Sequence, residues 1–109
     1  YAALYVGGMG SREKNFYNQL AVRMGYAEAA ATVQDLYLAR RPRDAMAAVP
    51  YEFIDSTSLL GSKERIADRL AEFAAAGVTT AALAPYGRTL EEKLAALTTA
   101  AEALDLALG

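Results

Sequence analysis

Residues 78–84, Val78-Thr79-Thr80-Ala81-Ala82-Leu83-Ala84, carry no charge, open on three β-branched side chains and are bounded by Gly77 and Pro85. β-branched residues lose rotamer freedom in a helix and pack well on a pleated surface, so the segment reads as a strand. It lacks polar alternation, which predicts burial on both faces, as in a parallel sheet. Such a strand needs neighbours, because each buried backbone group left unpaired costs ~1–3 kcal/mol. No other stretch of the 109 residues reads as convincingly as a strand. Three sources of neighbours are open: the apolar opening Ala2 to Val6, another copy of the chain, or the rest of a sheet.

The remainder reads as helix. The hydrophobic fraction is 54%, and much of it is alanine, which adds little buried area per residue but favours helix. Ser11 is the expected N-cap of a helix to about Met24, stopped by Gly25, with Phe16, Leu20 and Met24 as its apolar stripe. A second helix is expected over Ala27 to Ala39, burying Val33, Leu36 and Tyr37, and interrupted at Arg41-Pro42. Pro42 opens a short helix through Val49, and Tyr51 to Leu60 leans towards helix. Ser62 should cap a helix that buries Ile66, Leu70 and Phe73 and ends at Gly77. Burial of those three side chains is worth roughly 5–9 kcal/mol before entropy. Thr89 and Glu92 form a capping-box pattern for a last helix, whose apolar stripe is Leu90, Leu94, Leu97, Ala101, Leu104 and Leu108.

Helix, glycine, uncharged strand, turn and helix form the grammar of an α/β protein with a parallel sheet. Composition narrows the function. A net charge of −2 does not draw the whole chain to nucleic acid, and Arg40, Arg41 and Arg43 read as a solvated helix junction followed by Asp44. With no cysteine and no histidine, disulfides, thiolate sites, nucleophilic triads and histidine-based metal sites are excluded. Neither a catalytic residue nor a metal ligand is predicted. Asp44, Glu52 and Asp55 are too irregularly spaced for a calcium loop, and Asp55 reads as a helix cap. No stretch approaches the ~20 apolar residues of a membrane span, and the usage is consistent with a reducing cytoplasm. The chain opens on tyrosine, which suggests processing, an excised piece or further residues upstream.

Three stretches, taken together and in this order, resemble the luciferase-like monooxygenase superfamily, in particular its coenzyme F-420-dependent branch. They are Leu4-Tyr5-Val6-Gly7-Gly8-Met9-Gly10 with Asn15-Phe16-Tyr17, then Ile54-Asp55 through Leu59-Leu60-Gly61, then Glu64-Arg65-Ile66 through Arg69-Leu70 to Ala76-Gly77-Val78-Thr79-Thr80. The resemblance implies a TIM barrel, which needs ~250 residues. This chain resembles only its final third. The expected organisation is therefore one partial domain over 1–109, with a helical insertion segment at 1–60 and the last helix-strand-helix of a barrel at 61–109. The fold class is α/β by ancestry, a partial TIM barrel, while the chain itself is mostly α-helical with one or two short strands. The resemblance further implies coenzyme F-420, or FMN, at the C-terminal ends of the barrel strands, with hydride transfer or oxygen activation at the ring. The coenzyme would carry that chemistry, so the lack of an acid/base constellation does not count against it. It also implies a small-molecule substrate and, as partner, the remainder of the barrel or another copy of the chain. This chain alone is expected to bind no coenzyme.

Gly7, Gly8 and Gly10 are candidate coenzyme contacts, offering N–H groups to a phosphate at the start of the Ser11 helix. A tight turn is the plainer explanation, because their spacing matches neither the dinucleotide fingerprint nor the P-loop. Met9 and Phe16 read as core. Asn15 and Tyr17 are candidate substrate contacts at the mouth of the site. Tyr86 follows the expected strand, where barrel sites lie, and is a candidate to stack on a ring or to cover the barrel end. The alternative to a redox role is a standalone helical module that self-associates through the Leu90 to Leu108 stripe or through strand pairing.

Overall fold

The computed structural model describes all residues 1–109 and divides them into two compact units, Tyr1–Ser58 and Leu59–Gly109. Its elements are a π-helical turn at Leu4–Gly8 and six helices: α1 Phe16–Arg23, α2 Ala27–Leu38, α3 Pro42–Ala48, α4 Tyr51–Ser56, α5 Lys63–Ala75 and α6 Leu90–Leu108. There is no β-strand.

In the first unit, the opening segment is helical and not an extended partner for a strand: Ala3 has φ −63° and ψ −39°. A helical turn satisfies its own backbone where no neighbouring strand is offered. It also places Ala3 and Val6 in a core with Ala21, Ala30, Val33, Ala45 and Phe53. Tyr26 meets Phe53 edge-on there, with ring centroids 5.5 Å apart.

The first helix starts later than expected. Ser11 lies in a turn in which Lys14 N–H donates to its carbonyl at 3.1 Å, and Asn15 is the cap, accepting from Asn18 N–H at 2.9 Å. The expected stripe of α1 faces outward, with Phe16 64% exposed and Leu20 and Met24 also exposed, while Ala21 is buried. Two asparagines turn the helix this way. Asn15, Asn18 and Ala21 recur every three residues, and both amides donate inward to backbone carbonyls. Leaving those buried acceptors unpaired would cost more than exposing three apolar side chains that are already only half covered.

Helix α2 buries Val33 and half-buries Leu36 and Tyr37. It closes through Arg40, a non-glycine residue at φ 61°, after which Pro42 occupies the first turn of α3. Arg41 Nε donates to Asp44 at 2.8 Å in an exposed pair, so part of the basic cluster is locally neutralised. Asp55 lies in the last turn of α4 and caps no helix start, because Pro50 and Tyr51 open that helix.

In the second unit, Ser62 Oγ accepts from Arg65 N–H and caps α5, and Gly77 follows it at φ +99°. Ile66, Ala67 and Leu70 pack with Ala103 of α6, and Leu59 and Ala107 join them. Phe73 is exposed, contrary to its expected burial, so only two of the three large side chains contribute, about 3–6 kcal/mol. The last helix carries the complete capping box, Thr89 with Glu92. Its packed face is alanine, with Ala103 fully buried, and the leucine stripe is exposed instead. Small side chains let two helices approach closely, so the alanine face fits against α5 where bulky leucines would not.

Residues 78–84, expected as a buried strand, form no regular secondary structure, pair with no strand and are exposed. Val78 N–H closes the end of α5 on Phe73 O at 3.0 Å, and no backbone hydrogen bond involves Thr79 to Pro85. A strand exists only through its neighbours, and no segment of this chain supplies one. No helix is long and apolar enough to cross a membrane.

Candidate functional site

Five of the six candidate residues belong to the first unit, around the π-helical turn. The chain needs glycine there because Tyr37 of α2 lies against it. A Cβ on Gly7 would stand 2.6 Å from Tyr37 Cβ and 3.0 Å from Val33 O, and one on Gly8 would meet Tyr37 Cδ1 at 2.8 Å. Contacts that short do not occur between real atoms, so the turn rests on the tyrosine only because side chains are absent. Gly10 lies in the following turn, where a Cβ would collide with the Lys14 carbonyl. These approaches are backbone to protein. They account for the glycines without a phosphate, and the helix start expected at Ser11 is four residues away.

Asn15 is 1% exposed and fully used. Its Nδ2 donates to Tyr5 O at 3.1 Å and to Val6 O at 3.0 Å, while Oδ1 caps α1. Asn18 adds a second clamp, donating to Val6 O at 3.0 Å and to Ala30 O at 2.9 Å. A π-helical turn is wide, and side-chain amides here take up carbonyls at its end. The clamp sets the position of Tyr5, whose ring meets Tyr17 at 4.8 Å between centroids and 67° between planes. Phe16 stands edge-on to Tyr17 at 6.0 Å, and the Arg23 guanidinium lies over the Phe16 ring at 5.8 Å. Tyr17 is 40% exposed beside Tyr5.

Gly7, Gly8, Asn15 and Tyr17 are thus brought together, with Gly10 at the edge of the group. Tyr86 belongs to the second unit, exposed between residue 84 and α6. Sequence reasoning overlooked Asn18, Tyr5 and Tyr37. The spacing of Asn15 and Asn18 was the available signal, since two amides three residues apart at a helix start share one face. Nothing local marks Tyr37 as the residue behind the glycines.

The apolar cavity lined by Val6, Ala21, Tyr26, Val33, Pro50 and Phe53 holds about 10 Å³, room for no more than a water. An open depression lined by Gly25, Tyr26, Glu28 and Thr32 includes none of the candidates. Neither lining includes a candidate residue, and no chemical step is derived through a deazaflavin or flavin.

Comparison with known proteins supplies the remaining finding. The family model described as luciferase-like monooxygenase matches residues 1–80. A curated protein of Mycobacterium tuberculosis, carried under the provisional name coenzyme F-420-dependent oxidoreductase, is 35% identical over 79 residues. That match covers 72% of this chain and 23% of the relative, so the chain spans about a quarter of the relative's length. No solved structure matches. The chain belongs to the luciferase-like monooxygenase family.

Proposed function

We propose that this chain is a portion of a coenzyme F-420-dependent oxidoreductase that transfers a hydride between the reduced deazaflavin and a small organic substrate. The observation that carries the reading is the family match over residues 1–80, which runs from the glycine turn to the start of the uncharged segment. The relative's name favours F-420 over FMN, and oxygen activation in the monooxygenase manner is the second chemistry open to the family. When bound, the coenzyme supplies the hydride chemistry.

This chain's contribution is structural and positional. The Asn15 and Asn18 amides hold the glycine turn, and the turn holds Tyr5 against Tyr17. Tyr17 then offers a ring and a hydroxyl to the substrate, and Tyr86 covers the coenzyme from its own unit. Residues 78–84 gain hydrogen-bonding neighbours from barrel strands of the rest of such an enzyme. That partner explains why an uncharged, β-branched stretch lies open here.

Titration with coenzyme F-420 and with FMN, followed by ring fluorescence, tests the reading. This chain is expected to bind neither measurably, and a protein in which upstream barrel strands are joined to it is expected to bind F-420 tightly. Tight binding by the 109 residues alone would overturn the dependence on outside strands. An extended protein that ignores both coenzymes would remove the redox assignment.

A further inference from the structure

Gly7 and Gly8 stand in the π-helical turn at negative φ; the glycines at positive φ are Gly10, Gly25, Gly61 and Gly77. The backbone at 7 and 8 therefore has no need of glycine, which is among the poorest residues for a helical turn. Contact supplies the need. The Tyr37 side chain runs along both positions: its Cβ and Cγ are 2.6 and 3.1 Å from a Cβ built on Gly7, and its Cδ1 and Cζ are 2.8 and 3.0 Å from one built on Gly8, with Cε1 nearer still. The Tyr37 hydroxyl makes no hydrogen bond within the chain and is not buried, so the ring acts by its shape. We propose that Tyr37 is a positioning residue, whose ring sets how closely the π-helical turn approaches α2 and thereby how Tyr5 pairs with Tyr17. Its functional weight rests on the reading above that Tyr17 meets substrate; the contact itself does not.

The two tyrosines are held by different contacts. Tyr17 rides on α1, which is tied to α2 without the glycines: Asn18 donates to Ala30 O at 2.9 Å, and Ala21 shares a core with Ala30 and Val33. Tyr5 rides on the turn. The Asn15 and Asn18 amides draw the Tyr5 and Val6 carbonyls of that turn towards α1. Hydrogen bonds of this kind attract but do not limit approach, whereas a close-packed ring does. The amides therefore orient the turn, and Tyr37 stops it. A methyl group added at residue 8 would lift the turn off the ring and carry Tyr5 with it, leaving Tyr17 in place. Edge-on ring contacts are directional, and a displacement of about 1 Å is enough to spoil the alignment of a positioned group.

NMR of the 109-residue chain with labelled tyrosine rings tests this through the nuclear Overhauser cross-peak between Tyr5 and Tyr17, whose centroids are 4.8 Å apart. Gly8→Ala should weaken that cross-peak several-fold while far-UV circular dichroism is retained. In a Tyr37→Ala background the obstacle is gone, so adding Gly8→Ala should change the cross-peak no further. Gly7→Ala behaves differently: its Cβ meets Tyr37 Cβ and Val33 O, both still present in Tyr37→Ala, so its loss should persist there. Tyr37→Phe should match wild type. Leu36→Ala, a truncation one position away that also packs against the core, should lower stability and leave the cross-peak unchanged. A wild-type cross-peak in Gly8→Ala overturns the proposal, as does a loss that Tyr37→Ala fails to relieve. Should Gly8→Ala unfold, Tyr37→Ala alone decides: a weakened cross-peak supports the stop, and a wild-type one makes the tyrosine core filling only and overturns it. Neither coenzyme nor substrate enters these measurements, so their failure and that of the coenzyme titration are separate.

Discussion

Asn15 shows how one side chain can serve two purposes at once. Its amide oxygen caps α1, and its amide nitrogen holds two carbonyls of the π-helical turn, all from a position 1% exposed. Replacement by alanine removes the cap and leaves the Tyr5 carbonyl without its side-chain donor. The expected loss is about 1–3 kcal/mol, read as a lower urea midpoint for Asn15→Ala by far-UV circular dichroism. Asn15→Asp keeps the capping oxygen but sets a buried carboxylate oxygen against the Tyr5 and Val6 carbonyls, so its midpoint should fall at least as far as that of Asn15→Ala. Equal midpoints for all three would mean that the clamp contributes nothing. Sequence alone marks Asn15 as a polar residue near a glycine turn. It does not say whether the amide points to solvent, to a substrate or into the fold, because that depends on carbonyls nine and ten residues away.

At the scale of the element, capping was legible where all the bonds are local. Ser62 and Thr89 cap the helices their sequences predict, because the serine or threonine and the N–H it accepts from are three residues apart. Ser11 failed as a cap because Asn15, four residues on, gains tertiary hydrogen bonds that a helix starting at Ser11 would forgo. The α5 start also carries a pH signature. Glu64 is held below the ordinary carboxylate range by its own backbone N–H first and by the Ser62 hydroxyl second. Its folded pKa is lowered, so the stabilisation is present above the unfolded value and is lost as pH falls through the folded one. For Ser62→Ala, NMR titration should show the Glu64 pKa moving up towards its ordinary value. No movement would leave the backbone bond and the neighbouring Lys63 charge as the causes.

For the whole molecule, the decisive stretch is residues 78–84. Without strand neighbours, its amides after Val78 are expected to exchange hydrogen nearly as fast as in an unstructured peptide, while the buried turns of α5 and α6 are protected. Mass-spectrometric hydrogen exchange checks this. Slow exchange over 79–84 in a monomeric sample would show a hydrogen-bonded partner within the chain and refute the orphan assignment. By itself the sequence determined most of the helices, two of the four expected caps, the breaks at Gly25, Pro42 and Gly77, and the family. All of these depend on residues close together in the chain or on an ordered set of short motifs. Only the tertiary structure decided which faces turn inward. α1 packs by two asparagines and an alanine, and α6 packs by alanines with its leucines outside. The reason is that hydrophobic periodicity reports which side chains prefer burial, whereas facing is settled by shape and by where buried carbonyls find donors. The same limit holds for residues 78–84: β-propensity names a candidate strand, but pairing requires a second strand, and that is a property of the assembled molecule.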